Sequence, residues 1–287
     1  MGIGKLRVVL SVTLLMCLGV VRLTWADPAE EAYAEGMRLL QAGQAREALT
    51  AFDKAIRLKP TYAEAYRRRG IVHHSLGQYD RAIKDYDEAV RLNPNSSEAY
   101  YDRANAYSDS GQAERALKDY DTALRLAPRS AQTYYNRSLA YLALDRGGEA
   151  AADARAYLDL KGWRENQAQY MVLVGYVGNQ LARHDAEARQ LLEEAKTKCD
   201  TAAWPYPIIR YLRREITADA LQTAATDADK QTEAQTYLGL DLSLAGHREE
   251  ALAHLRWVKD NGNKSFAEYT FATAALHRLE AAARVQP

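Results

Sequence analysis

Chemistry in this chain would have to come from six histidines, two cysteines or clustered carboxylates, and their spacing supports little of it. His73 and His74 are adjacent, and neighbouring side chains on a helix point about 100° apart, too divergent for two ligands of one metal ion. His184, His247, His254 and His277 stand alone, and no histidine lies three or four residues from another. Cys199 has no nucleophile motif around it and reads as a small apolar residue at a helix end. Asp85, Asp87 and Glu88 sit beside Lys84 and Arg91, so a solvated helix stripe with i,i+4 support is expected there. Gly147-Gly148 reads as a turn, since neither GxSxG nor a phosphate-cradling loop occurs. The expectation is therefore no catalytic residue, no cofactor and no metal. What remains is recognition chemistry: a recurring set of Tyr, Arg and Asn, which can combine rigid area with hydrogen-bonding edges.

That set recurs because the chain does. The segments EALTAFDKAIRLKP, RAIKDYDEAVRLNP and RALKDYDTALRLAP end in Pro60, Pro94 and Pro128, a period of 34 residues. A fixed period of this length marks stacked helical hairpins, each burying its apolar face only against a neighbour. Gly70, Ala104 and Ser138 fall where two helices must approach closely, and Ala82, Ala116 and Ala150 answer them from the partner helix. Tyr66, Tyr86, Tyr100, Tyr120 and Tyr134 fill the remaining space, each worth about 1.5–3 kcal/mol if fully buried. Gly43, Gly77 and Gly111 separate the two helices of a unit, and the prolines stop the second helix.

These residues resemble the tetratricopeptide repeat family. Unit two supplies Tyr66, Gly70, His73, Ala82, Tyr86, Ala89 and Pro94; unit three supplies Tyr100, Ala104, Tyr107, Ala116, Tyr120, Ala123 and Pro128. Unit one has Gly36, Leu39, Ala48, Phe52, Ala55 and Pro60 but Ala32 in place of the first aromatic. Unit four keeps Tyr134, Ser138, Tyr141, Ala150 and Ala154 and ends at Gly162. The resemblance implies an all-α, right-handed superhelical solenoid of helical hairpins, with units at 29–62, 63–96, 97–130 and 131–162. It also implies a concave face lined by the first helix of each unit. The residues expected in that groove are Arg67, Arg68, Ile71 and His74, then Tyr101, Asp102, Asn105 and Ser108, then Tyr135, Asn136 and Leu139. Two readings of Tyr101 and Tyr135 stand: partner contact, or stacking on the neighbouring unit. Under the first, replacing both with Ala removes binding and leaves the helical melt unchanged. Clamping of chaperone C-termini is not expected, because Tyr33, Met37 and Arg68 stand where Lys and Asn would be needed.

Helical patterning continues through 163–287 as degenerate repeats. Glu165 to Ala182 and Ala186 to Lys198 form one expected hairpin, turning at Arg183-His184-Asp185. Beyond Pro205 and Pro207, Ile208 to Ile216 and Ala218 to Ala225 are expected as short helices, the second capped by Thr217. Leu238, Gly239, Leu242, Gly246, Ala251 and Leu255 restore the repeat spacing, and Ser265 with Glu268 reads as a capping box opening the last helix. The order Trp204, Tyr211-Leu212, Ile216, Ala220-Leu221, Glu233-Ala234, Tyr237-Leu238-Gly239, Gly246, Ala251, Glu268-Tyr269 and Leu279 is similar to the bacterial new-lipoprotein-I type of periplasmic tetratricopeptide protein. That resemblance implies an adaptor between a periplasmic protease and peptidoglycan-remodelling enzymes.

Residues 1–26 read as an export signal: Lys5 and Arg7, an apolar run from Val8 to Val21, and cleavage after Ala26. A retained anchor and a lipidated Cys17 are the alternatives. Against the anchor, the run is bracketed by Arg7 and Arg22 and falls short of the ~20 residues a spanning helix needs. Against lipidation, Met16 stands where a lipobox needs a small residue. Lys plus Arg equals Asp plus Glu at 38 each, which argues against an electrostatic nucleic-acid binder. The expected function is a non-enzymatic exported scaffold that presents a protein partner, such as a periplasmic protease or peptidoglycan hydrolase, through the groove or through a homodimer face. The alternative is an envelope-assembly or secretion component holding extended polypeptide in the same groove.

Overall fold

The computed structural model describes residues 27–285 except residue 166. The export-signal reading, with Cys17 and Ala26, therefore falls outside the described residues. Among the described residues every regular element is a helix. Four hairpins pair α1 (Pro28–Gln41) with α2 (Ala45–Leu58), α3 (Ala63–Ser75) with α4 (Tyr79–Leu92), α5 (Ser97–Asp109) with α6 (Ala113–Leu126), and α7 (Ala131–Ala143) with α8 (Gly147–Lys161). Each second helix packs on the first helix of the next unit, which is how a repeat array shares its core.

Turn chemistry keeps the register. The second residue after each first helix is left-handed at Gly43, Gly77 and Gly111, with φ of 75°, 70° and 78°, and Asp145 takes the fourth such position with φ 57°. Before the prolines, Lys59, Asn93 and Ala127 leave the helix at φ −139°, −135° and −133°, the extended backbone that a following proline ring enforces. Within the hairpins the small residues permit close approach: a Cβ placed on Gly70 would meet the Tyr86 ring at 2.7 Å. Phe52, Tyr86, Tyr120 and Tyr157 are all fully buried.

The second half continues with α9 (Ala168–Leu181) and α10 (Asp185–Lys198), the turn between them holding Arg183 at φ 61°. Two short helices follow, α11 (Tyr206–Leu212) and α12 (Ala218–Ala224), the latter capped by Thr217, whose hydroxyl accepts from the Ala220 N–H. α11 stops before the expected Ile216 because Arg214 turns left-handed, at φ 61°, to reach Asp241 with its guanidinium. Then α13 (Ala228–Leu244) pairs with α14 (Arg248–Asn261), and α15 (Ala267–Val285) packs on both. Sequence reading did not foresee where α15 goes next: its other side rests on α7, so the chain's last helix returns to the fourth hairpin. The expected capping box is also absent. The Ser265 N–H and hydroxyl both bond to Asn263 Oδ1, which frees the Glu268 carboxylate to turn inward. No described helix is long and apolar enough to cross a membrane.

Candidate functional site

The first helices of adjoining hairpins line up on one face, and three contacts at a spacing of 35 residues fix that alignment. Arg67 donates to Asp102 at 2.7 Å, His74 meets Asp109 at 2.8 Å, and Asn136 donates to the Tyr101 hydroxyl at 3.0 Å. Asn136 also donates to Asn105, which in turn accepts from Tyr120 at 2.6 Å. Arg67 and Arg68 both bind Glu64 on their own helix. Ile71 is half-buried against the core. The expected groove residues are thus brought together in two polar groups, Glu64–Arg67–Arg68–Asp102 and Tyr101–Asn105–Asn136, with His74 to one side.

Their electrostatics follow from burial set against pairing. Burial pulls the Glu64 carboxyl upward, but Arg67 and Arg68 outweigh it and hold the group below its usual range. For Asp102 burial wins despite Arg67, and its carboxyl is raised. The Tyr101 hydroxyl is raised for the same reason. Both tyrosines also touch rings of their own hairpin: Tyr101 lies 6.2 Å from Tyr120 and Tyr135 lies 6.0 Å from Tyr157, centroid to centroid.

Tyr135 occupies a different environment from the rest. It sits where α13 and α15 meet the first helices of the fourth and fifth hairpins, and burial beside Glu268 and Glu233 pushes its hydroxyl up to about 12. Glu233 accepts from Trp204 Nε1 at 2.7 Å and from the Tyr170 hydroxyl at 3.2 Å. Glu268 accepts from the Tyr237 hydroxyl at 3.4 Å. Burial, and then the neighbouring Glu268, raises Glu233 to about 7.

Sequence reasoning missed the main polar structure of the repeats. Asp85 does not lie on a solvated stripe: it is 5% exposed and receives two bonds from Arg69, which also reaches back to Asp53. Asp87 is claimed by Arg103 of the next unit, not by an i,i+4 lysine or arginine. Arg103 bonds Asp119 as well, and Arg137 repeats the arrangement with Asp153 and Asp121. Each arginine therefore ties the second helix of its own hairpin to the second helix of the preceding one, and Tyr66, Tyr100 and Tyr134 lie under the three guanidiniums at 5.5–5.6 Å. The signal was available: Arg69, Arg103 and Arg137 keep the 34-residue period, as do Asp85, Asp119 and Asp153. Asp53, Asp87 and Asp121 keep the period too, but Arg155 takes the next position of that series and bonds Glu194 of α10 instead.

No group of metal-ligating residues occurs among the described residues. His73 bonds Gln78 and His254 bonds Gln235. The Cys199 thiol is pushed up to about 11 by burial, which removes the thiolate a nucleophile would need.

Family models described as tetratricopeptide repeat match residues 33–97 and 85–118, and one described as TPR repeat matches 104–145. A tetratricopeptide repeat protein from Parabacteroides merdae is 16% identical over 87% of this chain and 99% of its own, with a TM-score of 0.59. MamA from Desulfovibrio magneticus is 22% identical over 60% of this chain and 95% of its own, with a TM-score of 0.53. YrrB is 16% identical over 67% of this chain and 95% of its own, with a TM-score of 0.55. At these identities the likeness is one of fold. No curated protein matches the sequence.

Proposed function

We propose, from the premise that residues 33–145 are tetratricopeptide repeats, that this chain is an exported, non-catalytic adaptor that holds a protein partner against the concave face of α1, α3 and α5. The observation that carries the reading is the alignment of Arg67 with Asp102 and of Tyr101 with Asn136 across successive first helices. It sets Arg, Tyr and Asn side chains side by side on one continuous face. Such side chains offer area and hydrogen bonds at small conformational cost, as recognition surfaces require. YrrB, which shares the fold, is a TPR protein with an unusual peptide-binding site; for this chain, peptide capture belongs to the proposal.

The finer assignment draws on the likeness of the Trp204–Leu279 region to the new-lipoprotein-I type: export through the 1–26 segment, and partners among periplasmic proteases and peptidoglycan hydrolases. An adaptor is favoured over a holder of extended polypeptide because α15 covers α7, which shortens the open groove to three first helices.

A photocrosslinker at Arg68 or His74, compared with one at Lys84 or Lys118, tests the reading in an envelope extract. A folded protease or hydrolase captured at the first pair of positions and not the second is expected. Capture only at the second pair overturns the groove assignment, and a spread of nascent chains favours the holder. Mass spectrometry of the chain recovered from the periplasm should show Asp27 as its first residue; a cytoplasmic chain beginning at Met1 overturns export.

A further inference from the structure

We propose that Glu233 and Glu268 form a proton-operated latch that holds α13 and α15 against the first helices of the fourth and fifth hairpins. Glu233 on α13 is bound from two other parts of the chain, by Tyr170 of α9 and by Trp204 of the α10–α11 connection. Glu268, in the first turn of α15, takes the Tyr237 hydroxyl of α13. Tyr135 of α7 lies half-buried beside both carboxyls. The pair thus lies where four helices and a connecting segment converge, and both side chains are buried.

Among the described residues neither carboxyl has a Lys, Arg or His partner, and Asp229, one turn earlier on α13, adds a further negative charge. Most basic groups on the surrounding helices are engaged elsewhere, and Lys259 of α14, Lys264 before α15 and His277 of α15 are exposed. Arg214, which follows α11, faces Asp241; Arg137 of α7 faces Asp153 and Asp121; His254 and Arg256 of α14 bond Gln235 and Glu280; Arg278 of α15 meets Asp145. Asp219 of α12 is exposed. Asp241, two turns beyond Glu233, shows the contrast. It is equally buried and accepts from Tyr211, but the Arg214 guanidinium neutralises it.

Two carboxyls in such a pocket fit best when protonated, and opening returns them to water. Glu233 ionises at 4.5 when free and at about 7 when enclosed, chiefly because of burial. The closed form therefore has its full advantage below pH 4.5 and loses it as the pH rises through 7. From well below 4.5 to well above 7 the opening equilibrium grows by about 300-fold in all from Glu233 alone. Opening bares Tyr135 and Leu139 of α7, lengthening the concave face by one unit. The latch stands whether or not the groove binds a partner.

Hydrogen exchange on the full chain, corrected for the intrinsic pH dependence of exchange, tests it between pH 6 and pH 8.5. α7, α13 and α15 are expected to lose protection at least tenfold over this range while α2 to α4 stay unchanged. Glu233→Gln and Glu268→Gln keep an acceptor for Trp204, Tyr170 and Tyr237 but cannot ionise, so each should weaken the response by its own share. An unchanged pH response in both variants overturns the proposal, as does a wild-type chain whose helices all loosen together or show no pH dependence. The wild-type series decides by itself if a variant does not fold.

Discussion

Tyr120 donates its buried hydroxyl to Asn105 at 2.6 Å, on the inner face of the third hairpin. One repeat earlier, Ile71 holds the position of Asn105, and the equivalent hydroxyl, on Tyr86, is buried with no partner among the described residues. A buried hydroxyl without a hydrogen bond costs about 1–3 kcal/mol. Tyr86→Phe is therefore expected to stabilise the chain by about 1 kcal/mol and Tyr120→Phe to destabilise it by a similar amount. Urea midpoints at an unchanged slope measure both. Equal losses in the two variants would show that the Tyr86 hydroxyl has a partner after all.

The arginine ladder makes a second asymmetry. Arg103 bonds both Asp119, which is 7% exposed, and Asp87, which is half-exposed. Arg103→Met leaves a buried carboxylate unpaired and should cost about 3–5 kcal/mol. Asp87→Ala removes only the exposed arm and should cost about 0–1 kcal/mol. Combining Arg103→Met with Asp119→Leu should recover most of the loss, because no uncompensated charge remains. Chemical denaturation of the three variants checks the order, and a double variant no better than Arg103→Met would show that the ladder acts through packing and not through charge.

Local rules made the repeats legible. Proline fixes the residue before it, glycine or Asp145 marks the left-handed turn, and Gly70 must be small because the Tyr86 ring lies over it. Each of these constraints lies within one hairpin, so a single sequence displays it. Of the contacts that escaped notice, Arg103–Asp119 lies within one hairpin, but the others join residues of different hairpins or return from the chain's end. Arg103 reaches Asp87 in the hairpin before, although both recur at the period and could have been paired on that ground. The return of α15 to α7 had no periodic trace, and it depends on how curvature accumulates over the degenerate hairpins between them. Glu268 looked like half of a capping box because a motif of four residues cannot show that Tyr237 lies nearby.

Acid should act on the chain through different carboxylates from those of the latch. Glu194 receives both Arg155 and Lys198, and the Arg155 hydrogen bonds lead in holding it down at about 2. A lowered pKa gives stability that is full above the ordinary 4.5 and is lost as the pH falls toward 2. Glu194→Gln should therefore weaken the chain at pH 6 and bring its stability closer to wild type at pH 2.5. Thermal melts across this range check the convergence; parallel curves would show that the charge of Glu194 does not matter.

The position of Tyr135 changes what a binding experiment should mutate. The half-buried ring packs on Tyr157 and lies beside the acidic pair of α13 and α15, so Tyr135→Ala is expected to cost about 2–3 kcal/mol, less than a fully buried aromatic would. Tyr101 likewise leans on Tyr120 and accepts from Asn136. The double alanine variant should then melt early, contrary to the unchanged melt expected from sequence, and its loss of binding would be uninformative. Arg68 is the cleaner probe, since its one ion-pair partner among the described residues is Glu64 on the same helix. Arg68→Glu should cost about 1 kcal/mol, because the half-buried arginine gives up its pair and the new carboxylate faces Glu64 on the same helix. It should also weaken capture of the partner severalfold, because it reverses a charge in the open part of the groove. Circular dichroism melts paired with quantitative crosslinking separate the two effects, and undiminished capture by a well-folded Arg68→Glu chain would remove this arginine from the recognition surface.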